Sequence, residues 1–176
     1  VCTGFLYALA AGAGFIASHL AEALRLHNPE VVLFDNGSAE YDPAVKRQNA
    51  AETGAPLVEG DIRDTPALTR ALQDHRTEAV FHLAALPGVR LSVLEPQRCI
   101  DINVQGTASV LEAAREYGVR KFIFASSSSV YGSGTPMPFQ EDRTTTLPIS
   151  PYAASKLAGE NLCRIYARYF PTVVAR

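Results

Sequence analysis

Short apolar runs without polar alternation recur along the chain, and they constrain its fold more than any other feature. The clearest run is Val31-Val32-Leu33-Phe34, which ends at Asp35. A strand with one solvent-facing side alternates apolar and polar residues, whereas an unbroken apolar run is typical of a strand covered on both faces. The run therefore predicts a strand of a parallel sheet that lies between two layers of helices.

Six such segments alternate with helical patterns. The predicted strands are Phe5–Ala10, Val31–Phe34, Leu57–Val58, Ala79–Leu83, Lys121–Ala125 and Thr172–Ala175. The predicted helices are Phe15–Leu26, a helix opened by Thr65-Pro66, Pro96–Tyr117 and Pro151–Tyr169. Because parallel strands need crossover connections, this alternation predicts a doubly wound α/β fold with about six strands and helices on both faces. The chain of 176 residues is long enough for a single domain of this kind, spanning residues 1–176.

A glycine-containing turn separates the first strand from the first helix. The turn reads Gly12-Ala13-Gly14, and Asp35 ends the second strand about twenty residues later. This arrangement is typical of a dinucleotide site, where helix amides hold a pyrophosphate and the acidic residue accepts hydrogen bonds from the adenosine ribose. An acidic residue there repels a 2′-phosphate, so the pattern favours NAD over NADP. The alternative is that Asp35-Asn36-Gly37 only forms a turn and that the glycines only permit tight packing.

Two residues after the third strand extend this site. Asp61 and Ile62 lie at the same predicted edge of the sheet as Asp35. A carboxylate and an apolar side chain suit the edge and the face of an adenine ring. The alternative for Asp61 is a solvated turn carboxylate.

The last predicted helix carries Tyr152 and Lys156 one turn apart on the same face. A tyrosine is a weak base at neutral pH, because its ordinary pKa is about 10, but a nearby ammonium favours the phenolate. The serine run Ser126–Ser129 adds hydroxyl groups after the fifth strand, and Gly132–Ser150 connects it to the helix. Phenol, ammonium and hydroxyl together predict a proton-transfer site, although a lone Tyr-x-x-x-Lys pair is also common on surface helices.

Charge and cysteine content narrow the expected partners and location. Sixteen Lys and Arg residues oppose eighteen Asp and Glu residues, which gives a formal net charge of −2. The chain has no excess of positive charge that would predict binding to nucleic acid or to a membrane. Small-molecule partners are therefore expected. Cys2, Cys99 and Cys163 are far apart and lack metal-ligand spacing, which predicts no metal site and favours a reducing compartment such as the cytoplasm. The uncharged segment Val1–Ala21 is interpreted as a buried strand entering a helix, since its glycines and its lack of a basic leader do not suit a membrane span or a signal peptide.

These motifs resemble the extended short-chain dehydrogenase/reductase family and, within it, the NAD-dependent nucleotide-sugar epimerases, most closely the UDP-glucuronate and UDP-glucose 4-epimerase group. The resemblance covers nearly the whole chain. The matching segments are Gly12–Ile16, Asp35-Asn36, Gly60–Ile62, His82–Ala85, Asp101–Val104, Ser126–Gly132 and Ser150–Lys156. Seven ordered matches are much more specific than any single one of them.

The resemblance implies a Rossmann-like domain that binds NAD and transiently oxidises a nucleotide sugar, with a UDP-sugar favoured, at C4. It makes Tyr152 the catalytic base, Lys156 the group that lowers its pKa and binds the nicotinamide ribose, and Ser127 the donor to the reacting oxygen. The predicted cofactor-binding residues are Ala11, Gly14, Phe15, Ile16, Asp35, Asn36, Asp61, Ile62, Leu83, Ala84, Ala85, Asn103, Tyr152 and Lys156. The predicted substrate residues are Arg90, Ser127 and Ser128, and a solvated arginine is an equally good explanation of Arg90.

The chain departs from the family pattern in two ways, and it also lacks an acidic pair that the related dehydratases carry. Ala11 and Ala17 stand where the family has glycine, and Ala10 stands where it usually has threonine, so weaker NAD binding is expected. Ser128-Ser129 replaces an acidic pair of the related dehydratases, which favours epimerisation over dehydration. Family members also continue well beyond the sixth strand, so most of a substrate domain is expected to be missing.

Two alternatives to an epimerase stay open, and an assembly is also implied. The chain could instead be another reductase or dehydratase of the extended family, or a catalytically silent dinucleotide-binding module. Dimers of this family often pack through two long helices. The corresponding segments here are Pro96–Tyr117 and Pro151–Tyr169, so a homodimer is expected.

Overall fold

The computed structural model describes residues 6–27, 30–40, 42–142 and 147–176. The strands in this part of the chain are β1 Leu6–Ala10, β2 Glu30–Asp35, β3 Leu57–Glu59, β4 Ala79–His82, β5 Lys121–Ala125 and β6 Thr172–Ala175. They form one sheet in the order β3-β2-β1-β4-β5-β6, and every pairing is parallel. The predicted doubly wound α/β fold is therefore confirmed. Phe5, where the first strand was predicted to begin, lies outside the described residues.

The helices follow the predicted order with some changes of length. They are α1 Phe15–Arg25, α2 Pro43–Thr53, α3 Thr65–Asp74, α4 Val89–Leu94, α5 Pro96–Ile100, α6 Gly106–Tyr117 and α7 Pro151–Tyr166. A π-helical turn, Asp101–Gln105, joins α5 to α6, so the predicted long helix has a wide turn inside it. The last helix ends earlier than the predicted Tyr169, because the chain turns after Tyr166 to enter β6. Helices α2 and α4 are not among the predicted helices.

The core lies in two layers, one on each face of the sheet. Successive strand residues point to opposite faces, so Val32 and Phe34 enter one layer and Leu33 enters the other. The larger layer packs the sheet against α3, α6 and α7, and the smaller one packs it against alanines of α1 and α2. A Cβ at Gly12 would lie 2.5 Å from the Cβ of Leu33, so the close approach at this turn requires glycine. Helices thus cover both faces, as predicted.

The carboxyl ends of the strands gather most of the predicted site residues at one edge of the sheet. β1 leads into Ala11, β2 ends at Asp35, β4 leads into Leu83, and β5 leads into Ser126 and Ser127. Ligands of doubly wound folds bind in the crevice at this edge. In the part of the chain that the structure describes, no helix is long and apolar enough to cross a membrane.

Candidate active site and dinucleotide cleft

The first turn of α1 presents backbone amides to solvent. Gly14 is the N-cap in an extended conformation, no side chain of the described residues caps the helix, and the first turn contains no acidic residue. Phe15 and Ile16 in this turn are 65% and 68% exposed. A helix start with amides free of side-chain acceptors favours an anion, because the N–H groups and the helix dipole both point toward it. The predicted residues Gly14, Phe15 and Ile16 therefore form a position suited to a diphosphate.

Ala11, which stands where the family has glycine, adopts a left-handed backbone conformation that favours glycine. Its φ is +64°, in the left-handed region, and its N–H donates to the carbonyl of Phe34 at 2.9 Å. A residue with a Cβ in this region costs about 1–2 kcal/mol relative to the right-handed conformation. The turn thus keeps its shape at the expense of local strain at Ala11.

A cleft of about 150 Å³ opens beside this turn. The predicted cofactor residues that line it are Ala11, Asp35, Asn36, Asp61, Ile62, Ala84 and Ala85. Ionic and polar residues that the sequence analysis did not single out also line it, namely Ser38, Glu40, Lys46, Arg63 and Arg98. Leu83 is half-buried next to the cleft, and its N–H donates to the carbonyl of Ala10 at 3.2 Å. The structure thus brings the predicted cofactor residues of four strand ends into one crevice.

Asp35 is buried at the centre of this edge and accepts three hydrogen bonds. Its Oδ2 accepts from the Ala13 N–H at 3.3 Å, and its Oδ1 accepts from the Gly37 N–H at 2.8 Å. The Nζ of Lys46, on α2, lies 3.2 Å from Oδ1 and donates the third bond. Asp35 thus makes the turn hydrogen bond to Gly37 and also lines the cleft, and its contact with a ribose stays a prediction. Lys46 could have been placed from sequence, because Asp42-Pro43 is a helix-start signal one turn before it.

Asp61 is held by Arg63. The guanidinium contacts both carboxylate oxygens of Asp61, at 2.9 Å and 2.6 Å, and also pairs with Asp101. The hydrogen bond from Arg63 lowers the pKa of Asp61 to about 2, although burial acts in the opposite direction. Asn36 also reaches Asp61, with its Nδ2 at 3.5 Å from Oδ2. Asp61 is thus ionised at neutral pH. Arg63 lies only two residues after Asp61, but no sequence motif used above predicts this ion pair.

Asn103 supports the cleft from behind. Its Oδ1 accepts from the Leu86 N–H at 2.6 Å, and its Nδ2 donates to the Leu86 carbonyl at 3.2 Å and to the Ser155 hydroxyl at 2.9 Å. Asn103 lies in the π-helical turn, and π turns are frequent at functional sites. Its amide therefore connects the loop after β4 with the helix that carries Tyr152 and Lys156.

His82 lies at the end of β4 under the same loop. The Thr107 hydroxyl donates to the Asn103 carbonyl at 2.6 Å, so its oxygen is left to accept from His82 Nε2 at 2.9 Å. This assigns the proton to Nε2 and leaves Nδ1 without a partner in the described part of the chain. Burial, with a further contribution from Lys156, lowers the pKa of His82 to about 3. The imidazole is therefore neutral and acts as a donor in the packing beneath the site.

Ser127, Tyr152 and Lys156 meet where β5 ends against the start of α7. A side-chain hydrogen bond joins Ser127 and Tyr152. The Nζ of Lys156 donates to the Ala125 carbonyl at 2.8 Å, two residues before Ser127. The Ser150 hydroxyl accepts from the Ala153 N–H at 3.1 Å, which fixes the first turn of the helix. The structure thus places the three predicted catalytic side chains together.

Burial governs the acid–base properties of this group. It raises the pKa of Tyr152, and the hydrogen bond with Ser127 acts against that rise. Burial also lowers the pKa of Lys156 to about 8, so the side chain is an ammonium at pH 7. The predicted lowering of the Tyr152 pKa is therefore wrong here, because the net shift is upward and Lys156 is not among its causes. The arrangement provides a hydroxyl donor, a phenol and a buried cation on one surface.

A buried ion pair contacts Ser126, the residue before Ser127. Glu160, on α7, accepts from the Ser126 hydroxyl at 2.6 Å and from two nitrogens of Arg176 at 3.0 Å and 2.8 Å. Burial raises the pKa of Glu160, but the bonds from Arg176 and Ser126 outweigh it, so the net shift is downward. The sequence analysis did not single out Glu160, although it lies one helical turn after Lys156. This pair ties the ends of β5 and β6 to the catalytic helix.

The predicted substrate residues differ in their positions. Ser127 accepts from the Ser129 hydroxyl at 2.9 Å, inside a 3-10 turn that covers Ser128–Tyr131. Ser128 is exposed on that turn, and Arg90 is exposed in the first turn of α4. Within the described ranges, no group of three or more His, Cys, Asp or Glu side chains is arranged to hold a metal ion.

The sequence profile of the NAD dependent epimerase/dehydratase family matches residues 9–176. The chain belongs to this family. It is 40% identical over 158 residues to UDP-glucuronate 4-epimerase 6 of Arabidopsis thaliana, across 88% of the chain and 34% of that protein. It is 37% identical over 161 residues to the UDP-glucose 4-epimerase of Erwinia amylovora, across 91% of the chain and 48% of that protein.

Solved structures of epimerases share the fold of this family member. The UDP-glucuronic acid 4-epimerase of Bacillus cereus, in complex with UDP-glucuronic acid and NAD, superposes with a TM-score of 0.87 at 34% identity. The match covers 98% of the chain and 56% of that structure. The chain thus spans about a third to a half of the length of these curated relatives and about half of this structure.

Proposed function

We propose that this chain is an NAD-dependent nucleotide-sugar 4-epimerase, or the cofactor-binding half of one, and that its substrate is a UDP-sugar. The observation that carries the proposal is the meeting of Ser127, Tyr152 and Lys156 at the strand ends beside a dinucleotide cleft. A module that only binds a dinucleotide has no use for a phenol next to a buried ammonium. The named activities of the related plant and bacterial proteins support the same reaction class.

The residues present fit NAD as the cofactor. The uncapped amides at the start of α1 suit its diphosphate, and the carboxylate of Asp35 suits the hydroxyls of its adenosine ribose. Asp61, Ile62, Ala84 and Ala85 would contact the adenosine half, while Tyr152 and Lys156 would contact the nicotinamide half. Bound NAD supplies a hydride acceptor, and after reduction a hydride donor, at C4 of the sugar.

The side chains of this chain would move and hold the proton. Tyr152, as phenolate, would take the proton of the C4 hydroxyl and later return it, with Ser127 donating a hydrogen bond to the same oxygen. Lys156 carries a positive charge at pH 7 in a buried position, where a cation most strongly favours a nearby phenolate. Ser127, already bonded to Tyr152, orients the phenol for this transfer. Turning the oxidised sugar between the two transfers would invert C4.

Two observations bear on the alternatives. The exposed Ser128 and the half-buried Ser129 offer hydroxyls where the related dehydratases have an acidic pair, which supports epimerisation over dehydration. The strained turn at Ala11 supports the silent binding module, because strain next to the diphosphate position weakens a site. Binding and turnover therefore have to be measured separately.

Calorimetric titration of the 176-residue chain with NAD tests the cofactor assignment. We expect saturable binding that weakens when Asp35 is changed to alanine. Absence of binding at millimolar NAD would remove both the epimerase and the silent-module readings. Binding without turnover would favour the silent module, or an activity that needs residues beyond these 176.

Incubation with UDP-glucuronate or UDP-glucose, followed by NMR of the anomeric protons, tests the chemistry. We expect the C4 epimer to form and Tyr152→Phe to abolish it, since the phenylalanine cannot take the proton. The matched control is Tyr117→Phe at the end of α6, which should leave turnover unchanged. Full activity of Tyr152→Phe would remove Tyr152 from its proposed role.

We propose that the chain forms a homodimer through the segment Pro96–Tyr117 and α7. Exposed apolar side chains on these elements support this, namely Ile100, Ile165 and the adjoining Tyr169. Analytical ultracentrifugation should give a dimer, and Ile165→Asp should shift it to monomer. The matched control Leu26→Asp changes an exposed leucine after α1 and should leave the dimer intact. A monomeric wild-type chain would contradict the proposal.

We further propose that residues 1–176 fold as one NAD-binding domain in a reducing compartment, the cytoplasm. Cys99 and Cys163 are free and buried in the core, which supports a setting without disulfide formation. A single cooperative unfolding transition, unchanged by reductant, would agree with both statements. Two separate transitions would contradict the single domain.

A further inference from the structure

We propose that Lys46 sets the cofactor preference of this chain, because it is a ready ligand for a ribose 2′-phosphate that Asp35 keeps occupied. The inference rests on the proposed NAD-binding function. It assigns a role to a residue of α2 that lies 11 positions beyond the end of β2. Asp35 then excludes NADP by holding a cation of the cleft that could otherwise receive the extra phosphate.

The ammonium of Lys46 lies in the wall of the cleft. Its Nζ lies 3.2 Å from Asp35 Oδ1 and 3.1 Å from the Ser38 hydroxyl. The side chains of Lys46 and Asp35 are only 11% and 3% exposed, so solvent screens this pair weakly. All three residues line the cleft. An ammonium has three N–H donors. Two of those of Lys46 bind oxygen atoms, one of the Asp35 carboxylate and one of the Ser38 hydroxyl, so the ammonium sits in a site suited to oxygen ligands.

Net repulsion by Asp35 does not explain a preference for NAD here. Asp35 and Lys46 form a neutral pair, so a 2′-phosphate would meet no excess negative charge from them. A phosphate would instead have to displace the carboxylate from Lys46. Because the pair is buried and hydrogen-bonded, that displacement would leave Asp35 as an unpaired buried charge, which is strongly unfavourable.

The other cations that line the cleft are also engaged. Arg63 pairs with Asp61 and Asp101, and Arg98 pairs with Glu40 and Glu95. Each of these carboxylates is itself partly exposed, unlike Asp35. Lys46 is therefore the cation whose availability depends on one buried partner, and neutralising that partner should release it.

The experiment uses Asp35→Asn, Lys46→Met and the double variant, with NAD, NADP, 5′-AMP and 2′,5′-adenosine bisphosphate as calorimetric ligands. Asparagine keeps the shape of Asp35 and removes its charge. We expect Asp35→Asn to raise the affinity for NADP relative to NAD at least tenfold, and to do the same for the bisphosphate relative to 5′-AMP. The double variant, which leaves no unpaired charge, should lose that gain and should still fold. Lys121→Met, at the exposed start of β5, is the matched control and should behave as wild type.

An equal gain of NADP affinity in Asp35→Asn and in the double variant would overturn the inference, and so would no gain in Asp35→Asn. The result separates from the proposed function through the smaller ligands. If the wild-type chain fails to bind NAD, the proposed function fails. A Lys46-dependent gain for the bisphosphate in Asp35→Asn would then still support the inference, and its absence would overturn it.

Discussion

The side-chain amide of Asn103 donates a hydrogen bond to the hydroxyl of Ser155 across 2.9 Å. Ser155 in turn donates to the Tyr152 carbonyl at 2.7 Å, inside the turn of α7 that also carries Lys156. The same amide exchanges two hydrogen bonds with the backbone of Leu86. The π-helical turn therefore holds the loop beside the cleft and the start of the catalytic helix in one arrangement.

Changing Asn103 to aspartate should destabilise the chain. A carboxylate still accepts from the Leu86 N–H, but it cannot donate to Ser155 or to the Leu86 carbonyl, and it brings a charge into a buried position. We expect a loss of at least about 2 kcal/mol in the free energy of unfolding, measured with urea. Asn161→Asp, at an exposed position of α7, is the matched control and should change stability little. Equal effects of the two substitutions would contradict the assigned role of Asn103.

Replacing Ala11 with glycine should stabilise the turn before α1. Glycine removes the strain at φ +64° but adds freedom to the unfolded chain, which leaves a net gain of about 0.5–1 kcal/mol. Ala39→Gly provides the opposite case, since Ala39 is exposed and is not among the described residues with positive φ. That control should lose stability. A loss in Ala11→Gly, measured by thermal or urea unfolding, would show that the turn is not strained.

Lys156 should make stability depend on alkaline pH. Burial lowers its pKa from 10.5 to about 8 in the folded chain, so between these values the unfolded chain binds more protons. The free energy of unfolding therefore rises with pH between these two values. Below pH 8 the buried ammonium lowers the free energy of unfolding by its full amount. Relative to Lys156→Met, the wild-type chain should gain about 3 kcal/mol from pH 7 to pH 10.5. Urea unfolding of both proteins along this range measures the difference.

The control for this pH effect is Lys121→Met at the exposed start of β5. Its difference from wild type should stay constant over the same range. If the curves of wild type and Lys156→Met run parallel, Lys156 titrates near its ordinary pKa in the folded chain.

Removing the charge of Glu160 should cost substantial stability. Glutamine keeps an oxygen for the Ser126 hydroxyl but leaves Arg176 as a buried cation without its carboxylate. The side chains of Glu160 and Arg176 are 1% and 8% exposed, so we expect a loss of about 3 kcal/mol in the free energy of unfolding. Glu116→Gln, on the exposed side of α6, is the matched control and should change little. A second substitution, Arg176→Met, should recover part of the loss, and no recovery would argue against the ion pair.

The strands could be predicted because burial on both faces leaves a direct mark on the sequence. β5 and β6 match their predicted bounds, and β2 exceeds its prediction by Glu30 and Asp35, where the polar ends still pair with neighbours. The π-helical turn could not be predicted, because nothing in the five residues Asp101–Gln105 distinguishes a wide helical turn from an ordinary one. Helix α2 has few apolar residues and gave no periodic signal, although its Asp42-Pro43 start was readable.

The predicted site residues came from local motifs, whereas Lys46 and Glu160 bind partners 11 and 16 residues away along the chain. Lys46 lies on α2 and Glu160 on α7, and each meets its partner only because the fold brings that helix to the end of a strand. The properties of Tyr152 also depend on the folded environment, since burial raises its pKa whereas the motif alone suggested a lowered one. The spacing of residues in the sequence identifies the side chains of the site, whereas their pKa values depend on burial in the folded chain.

The strand order has a consequence for how the sheet can assemble. β1 lies inside the sheet and is made first, and β2 and β3 add in turn on one side of it. β4, β5 and β6 then add in turn on the other side. None of the six described strands has to insert between two that are already paired, so each can join an open edge as it leaves the ribosome. The dinucleotide cleft also includes Arg98 and Ile102, which follow β4, so more than half of these 176 residues must be synthesised before a cofactor could assist folding.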